Sequence, residues 1–144
     1  MFFLYRDLRP DNILLGERGH VVLTYFSKWG CVDSVLHQEA LENYYAAPEV
    51  CGIFNVSCLC DWWSVGALAY ELLTGRALVS CHPSGINSHT TINVPQFLSP
   101  EAGSLITELL RYNPNERLGS GINGDEEIKA HPFFVGLDWS KLQR

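Results

Sequence analysis

The sequence predicts a mainly α fold with one small β-hairpin near its start. Three observations carry this. The segment "DWWSVGALAYELLTG", Asp61 to Gly75, is a helical run with apolar groups on every side. The segment "LSPEAGSLITELLRYNP", Leu98 to Pro114, carries a start signal, one apolar face and a stop. The segment "NILLGERGHVVLTYF", Asn12 to Phe26, sets two β-rich runs around a glycine-bracketed turn.

The hairpin comes first. Ile13 to Leu15 and Val21 to Thr24 are the β-rich runs, and Gly16 and Gly19 flank the "GERG" loop between them. From Ser27 to Leu41 no period holds, which predicts a long irregular loop of the length kept for function. The central helix is expected over 61–74. Asp61 is its expected cap, and Gly75 stands where a left-handed terminator belongs. A helix that is apolar all round belongs at the centre of a domain. "VSCHPSGINSHTTINVPQF" is polar and turn-rich and reads as a long loop. In the next helix Ser99 caps, Pro100 fits the first turn and Glu101 faces the positive end of the dipole. Ala102, Leu105, Ile106 and Leu109 form its apolar face, and Asn113-Pro114 stops it. "GDEEIKAHPFF" predicts a short third helix, capped by Asp125 and ended before Pro132.

Composition narrows the function classes. At 144 residues with 47% apolar content, the chain has enough material for one folded domain. A formal charge of -6 argues against a nucleic-acid backbone as partner, because phosphates call for a basic surface. Five cysteines cannot all pair within the chain, and their spacing is irregular. A reducing, cytoplasmic (intracellular) setting fits them. Cys51, Cys58 and Cys60 lack a second matched pair, so buried thiols explain them better than zinc does. No run reaches membrane-spanning length, and the apolar opening "MFFLY" is too short for a signal-peptide core.

Four short motifs then resemble one family. "YRDLRPDN", Tyr5 to Asn12, resembles the catalytic loop of protein kinases. "APEV" at Ala47 to Val50, "DWWSVGALAYELLTG" and "ERLG" at Glu116 to Gly119 follow in kinase order with kinase-like gaps. Tyr5, the Trp62-Trp63 pair and "HPFF…DW" from His131 to Trp139 resemble the AGC group of serine/threonine kinases. "LTYF" and "CHPSGINSHT" resemble the ribosomal protein S-six kinase-like (delta) branch. The resemblance implies a partial kinase domain over 1–144, namely the helical C-lobe with its hairpin beside the catalytic loop. It divides the chain into a catalytic loop at 5–12, a degenerate D-F-G at 25–27, an activation segment at 28–49, the central helix at 61–74 and a helical remainder at 75–144. No G-x-G-x-x-G stands in the strand context required for nucleotide binding, so the N-lobe is expected to be missing.

The family uses ATP and magnesium, and transfer of a phosphoryl group is mostly positioning and charge neutralisation. By resemblance Asp7 takes the position of the base. Arg9 replaces the lysine that touches the γ-phosphate, with the same charge but a different reach. Asn12 takes the second metal position. Tyr25 stands where the family has its magnesium-binding aspartate. A phenol, with a usual pKa of about 10, is neutral at pH 7 and a poor magnesium ligand. Loss of the metal's charge stabilisation is worth several kcal/mol, and each ~1.4 kcal/mol is tenfold in rate. Ser27 replaces the loop glycine, while Phe26 is kept for packing.

In the activation segment the usual phosphorylated threonine falls near Gln38, and the substrate-loop threonine falls at Glu42. Glu42 either brings negative charge near Asp7 or pairs with Arg9. Arg6 loses its phosphate partner, and Ser34 is the candidate shifted phosphosite. Scaffold positions remain. The resemblance pairs Glu49 with Arg117 in the interior and has Asp61 tie the central helix to the backbone of the catalytic loop. Trp62, Trp63 and Trp139 are expected in the core. Two functions follow from the resemblance. One is a catalytically impaired, pseudokinase-like lobe that binds a protein. The other is part of an ATP-dependent serine/threonine kinase that needs its N-lobe.

Overall fold

A computed structural model of the chain describes residue 5 and residues 8–24, 42–51 and 57–142. Arg6, Asp7, Tyr25, Phe26, Ser27, Ser34 and Gln38 lie outside the described residues, as does the expected irregular loop over 27–41. Among the described residues the fold is mostly helical, with one two-stranded antiparallel hairpin.

Strand β1 is Ile13–Leu15 and strand β2 is Val21–Leu23. The register pairs Ile13 with Leu23, Leu14 with Val22 and Leu15 with Val21. The turn closes through Gly16, whose N–H donates to the His20 carbonyl at 2.8 Å. Gly19 has φ of 80°, a left-handed conformation that glycine adopts without a Cβ penalty.

Helix α1, Leu59–Thr74, runs through the interior. Cys60, Trp63, Ser64, Gly66, Ala67 and Tyr70 are buried along it, and only Leu72 among its sixteen residues is exposed. It starts two residues earlier than expected. Asp61 is therefore its third residue, not its cap; Cys58 precedes the helix without a side-chain cap bond, and the Ser57 hydroxyl accepts the Leu59 N–H at 3.3 Å. At the other end Gly75 is left-handed, and its N–H donates to the Glu71 carbonyl at 2.8 Å.

The stretch after α1 is mostly loop, but it opens with one helical turn, α2, Leu78–Cys81. Helix α3, Pro100–Leu109, starts on Ser99, whose hydroxyl accepts the Ala102 N–H at 3.1 Å. Its face of Ala102, Leu105, Ile106 and Leu109 is buried. The helix ends at Leu109, ahead of the expected Asn113-Pro114 stop. Asn113 instead accepts the Asn115 N–H at 3.0 Å and caps a 3-10 turn, Pro114–Glu116. Helix α4, Asp125–Lys129, is preceded by Gly124 at φ 54°, so Asp125 is its first residue and not its cap. His131 then accepts the Phe133 N–H at 3.1 Å and starts the 3-10 turn Pro132–Phe134. The last element is α5, Trp139–Leu142.

Two apolar clusters meet across α1 and α3. The larger contains Ala47, Cys60, Trp63, Ala67, Tyr70, Leu78, Ile106 and Leu110. The smaller holds Leu105, Leu109 and Ile128, with Trp62, Val65, Leu118 and Phe134 packed on it. Gly66 allows the close approach of the two helices: a Cβ there would lie 2.9 Å from Leu109 Cβ. Gly119 is left-handed at φ 93°, and a Cβ there would press on the Trp62 indole at 2.9 Å. The tryptophans thus divide their work. Trp63 is buried at the centre, Trp62 borders the second cluster, and Trp139 is half-buried against Phe134 at 5.0 Å.

Candidate active site

The described part of the stretch that resembles a kinase catalytic loop is built on proline. Pro10 begins a 3-10 turn, Pro10–Asn12, in which the Asn12 N–H donates to the Arg9 carbonyl at 3.0 Å. The turn buries Asn12 to 8% exposure and leads straight into β1. The Asn12 carbonyl accepts the Thr24 N–H at 3.0 Å, so the hairpin closes back onto the loop. Tyr25, which the resemblance aligns with the magnesium-binding aspartate of kinases, directly follows Thr24 in the chain. The fold therefore brings the chain just before position 25 to Asn12.

Arg9 sits just before the turn, with extended backbone at φ -154°. Its Nη1 donates to Asp11 Oδ2 at 2.9 Å. The Arg9 side chain is 11% exposed and that of Asp11 72%, so water reaches the pair from the carboxylate side. From the other direction, Asp61 Oδ2 accepts the Tyr5 backbone N–H at 2.7 Å. A carboxylate in the first turn of α1 also faces the positive end of the helix dipole.

The segment before the A-P-E motif is seated on α1. Trp63 Nε1 donates to the Tyr44 carbonyl at 2.9 Å, and the Ser64 hydroxyl donates to the Tyr45 carbonyl. Tyr44 adopts φ of 59°, a left-handed backbone that a bulky residue rarely takes. The Tyr45 hydroxyl donates to Glu71 Oε2. Burial, and then that carboxylate, hold the Tyr45 phenol well above its ordinary range. Glu42 is exposed at the start of this segment.

The buried centre of charge lies at the start of α1, against the Leu59 carbonyl and the Trp63 ring. Arg117 Nη1 donates to Glu49 Oε1 at 2.7 Å, and Nη2 donates to Oε2 at 3.0 Å. Side-chain exposure is 0% for Arg117 and 7% for Glu49. The remaining donors of the guanidinium reach the carbonyls of Leu59 at 2.8 Å and Arg111 at 3.0 and 3.1 Å. The Trp63 ring lies beneath it, with Cζ 5.4 Å from the ring centroid. A bidentate, fully hydrogen-bonded pair meets the conditions under which buried ions are tolerated.

The structure thus brings Glu49 to Arg117, Asp61 to residue 5, and Arg9 to Asp11. Two contacts were not anticipated, the Tyr45–Glu71 pair and the ring of His82, whose Nε2 accepts the Asn93 N–H at 3.0 Å. Their partners lie 26 and 11 residues apart in the chain, beyond any local spacing signal. Among the described residues no helix is long and apolar enough to cross a membrane.

Comparison with known proteins places this geometry. Human ribosomal protein S6 kinase delta-1 is 56% identical over 139 residues, which is 96% of this chain and 13% of that protein. Ribosomal protein S6 kinase-like 1 of Pongo abelii is 52% identical over the same share of the chain and 25% of its own length. Mouse ribosomal protein S6 kinase alpha-2 is 41% identical over 98% of the chain and 20% of its length. The chain therefore spans a quarter or less of the length of these relatives. Residues 1–134 match the protein kinase domain, and the chain belongs to that family, with the helical composition and single hairpin of its C-lobe.

Proposed function

We propose that this chain is a kinase-family C-lobe impaired in phosphoryl transfer, which acts by binding another protein. The observation that carries this reading is the contrast between a complete scaffold and a depleted donor set. The family uses ATP with magnesium, a hard cation that takes oxygen ligands and chiefly carboxylates. By motif, the ligands on offer here are the Asn12 amide and the Tyr25 phenol. Among the described residues, no three His, Cys, Asp or Glu side chains converge to replace them. That set does not fit a magnesium ion, and no step is routed through one. Arg9 keeps a positive charge at the phosphate-facing position, and Asp7 remains where a base would stand. In this reading they are remnants, and so are Arg6, Glu42 and Ser34 in an activation segment without its usual threonines.

The hairpin supports the protein-binding half. Leu14, Leu15, Val21 and Val22 are 48–76% exposed, on a two-stranded element that is marginal without a covering surface. Replacing Leu15 and Val21 by lysine is expected to reduce self-association while leaving the melting temperature within a few degrees. A monodisperse monomer of the unmodified chain at high concentration would contradict the exposed-surface argument.

A second reading has its own support. Asp7 and Asn12 are retained, and the similar proteins carry the word kinase in their names. Under it, the chain is part of an ATP-dependent protein serine/threonine kinase. A thermal-shift titration with Mg·ATP separates the two, because a ligand that binds only the native state must raise its stability. No shift, with no phosphate transferred to protein, is expected of the impaired lobe. A saturating shift, with transfer abolished by Asp7→Asn, would establish the second reading instead.

A further inference from the structure

Of the eight asparagines in the sequence, Asn123 alone is followed by glycine. It lies in the turn that carries the chain from Gly119 into α4. No residue of that turn from Ser120 to Gly124 belongs to either apolar cluster. Ile122 at its tip is fully exposed, and Gly121 and Asn123 are exposed beside it. Two main-chain bonds shape the turn. The Gly124 N–H donates to the Gly121 carbonyl at 3.1 Å, and the Glu126 N–H donates to the Asn123 carbonyl at 3.1 Å. Among the described residues, the side-chain amide of Asn123 makes no hydrogen bond.

That combination suits an intramolecular substitution. Asn123 Cγ and the Gly124 nitrogen are linked through Cβ, Cα and the carbonyl carbon, so a bond between them closes a five-membered ring. Electrophile and nucleophile held so near need only a rotation to meet. A side chain on the residue that supplies the nitrogen would crowd the approach. Gly124 has none, and a Cβ built there would meet nothing within 4 Å, so the space around it is open. Its φ of 54° and ψ of -124° belong to a region that glycine enters and leaves freely. The Gly124 N–H must leave the Gly121 carbonyl for the ring to close, and that is a single bond in an exposed turn. Three carboxylates follow. Asp125 and Glu126 are paired with Lys129 at 2.9 and 2.8 Å, and the Glu127 carboxylate lies against Gly121.

We propose that Asn123 is a self-modifying position, where the Gly124 nitrogen displaces ammonia from the side-chain amide and residue 123 becomes aspartyl or isoaspartyl. The steps balance with water alone. The Gly124 N–H gives its proton to hydroxide, and the nitrogen bonds to Asn123 Cγ. The Cγ–Nδ2 bond breaks, and Nδ2 takes a proton from water and leaves as ammonia. A cyclic imide remains, and a second water opens it. Attack at Cγ restores the normal backbone with a carboxylate side chain. Attack at the main-chain carbonyl carbon routes the backbone through Cβ and Cγ, one methylene longer. The products act differently on α4. The aspartyl form keeps the Asn123 carbonyl in place for the Glu126 N–H, and its negative charge stands ahead of a helix start, where it is favoured. The isoaspartyl form takes that carbonyl out of the backbone path as a free carboxylate. The first bond of α4 is lost, on the helix that carries the buried Ile128.

Peptide mapping of the folded 144-residue chain after warm incubation tests this. Trypsin cleaves after Arg117 and Lys129, and Asn123 is the only asparagine between them. The 118–129 peptide is expected to divide into asparaginyl, aspartyl and isoaspartyl forms. Chromatography resolves the last, and an isoaspartyl methyltransferase labels it from S-adenosylmethionine. Asn87 and Asn115 are also exposed but precede Ser88 and Glu116. Conversion at Asn123 should exceed conversion at either by about tenfold or more. It should also rise about tenfold or more from about pH 6.5 to about pH 8.5, because the attacking nitrogen must be deprotonated, while the three carboxylates stay ionised. Asn123→Gln, which would need a larger ring, should abolish it. By amide hydrogen exchange, Asn123→Asp should keep the protection of the Glu126 amide and the isoaspartyl chain should lose it. An intact Asn123 at the higher pH overturns the proposal, as does equal conversion at Asn87 or Asn115, or conversion seen only in the urea-unfolded chain. An isoaspartyl chain with full Glu126 protection overturns the consequence for α4.

Discussion

Arg117 and Arg9 carry the same guanidinium into opposite settings. Around Arg117 every partner is fixed: both oxygens of Glu49, three backbone carbonyls and a tryptophan ring, with no exposed side-chain surface. Arg9 bonds to Asp11, two positions on, whose carboxylate is mostly in water. The first arrangement holds distant parts of the chain in place. The second includes a contact within its own turn. The difference teaches that one residue type can serve either as a buried tie between distant segments or as a hydrated contact between near neighbours.

The largest effect should come from the buried pair. Arg117→Ala or Glu49→Ala leaves an uncompensated interior charge and is expected to cost about 3–5 kcal/mol. Scanning calorimetry should then record a melting point lower by on the order of 10 °C or more. Replacing both residues by apolar ones of similar volume, Glu49→Leu with Arg117→Met, should recover much of that loss. A melt unchanged by Arg117→Ala would erase the distinction drawn between the two arginines.

Packing comes next. Gly66→Ala gains about 1 kcal/mol of helix propensity but overpacks the crossing with Leu109, which typically costs about 1–3 kcal/mol. Net destabilisation of roughly 1 kcal/mol is expected in urea unfolding. A stabilised variant would mean that α1 and α3 approach less closely than described. Removal of one cap, Ser99→Ala, should cost about 1 kcal/mol, and Ser99→Asp should restore most of it. The smallest effect belongs to the exposed pair. Asp11→Ala should change stability by less than about 1 kcal/mol, and added salt should erase even that. Equal penalties for Asp11→Ala and Glu49→Ala would break the comparison outright.

How far the sequence could be read follows the same division. Features set by local chemistry were legible. Ser99-Pro100 marks a helix start and Gly75 a helix end, because caps and left-handed turns act within a few residues. The face of α3 was legible from its period, and the hairpin from its two glycines. The start of α1 was not. Asp61 has the right chemistry for a cap, but its carboxylate is engaged by the backbone N–H of Tyr5, 56 residues earlier. Gly124 and Asp125 exchanged roles for a related reason: a glycine at positive φ can enter a helix without a side-chain cap. In the candidate site, the identities at Arg9, Asn12 and Tyr25 could be read directly. The seating of Tyr44 and Tyr45 on α1 could not, since it depends on Trp63, Ser64 and Glu71 arriving from elsewhere.

The reach of Arg117 bears on how this chain comes apart. Its acceptors lie 68, 58, 6 and 5 residues away along the chain, at Glu49, Leu59, Arg111 and Tyr112. A state in which one of these stretches has detached leaves the guanidinium short of acceptors in a dry interior, so half-open forms are penalised. Melting of the whole lobe should therefore be a single concerted event, and refolding should wait on the slow closure of those long loops.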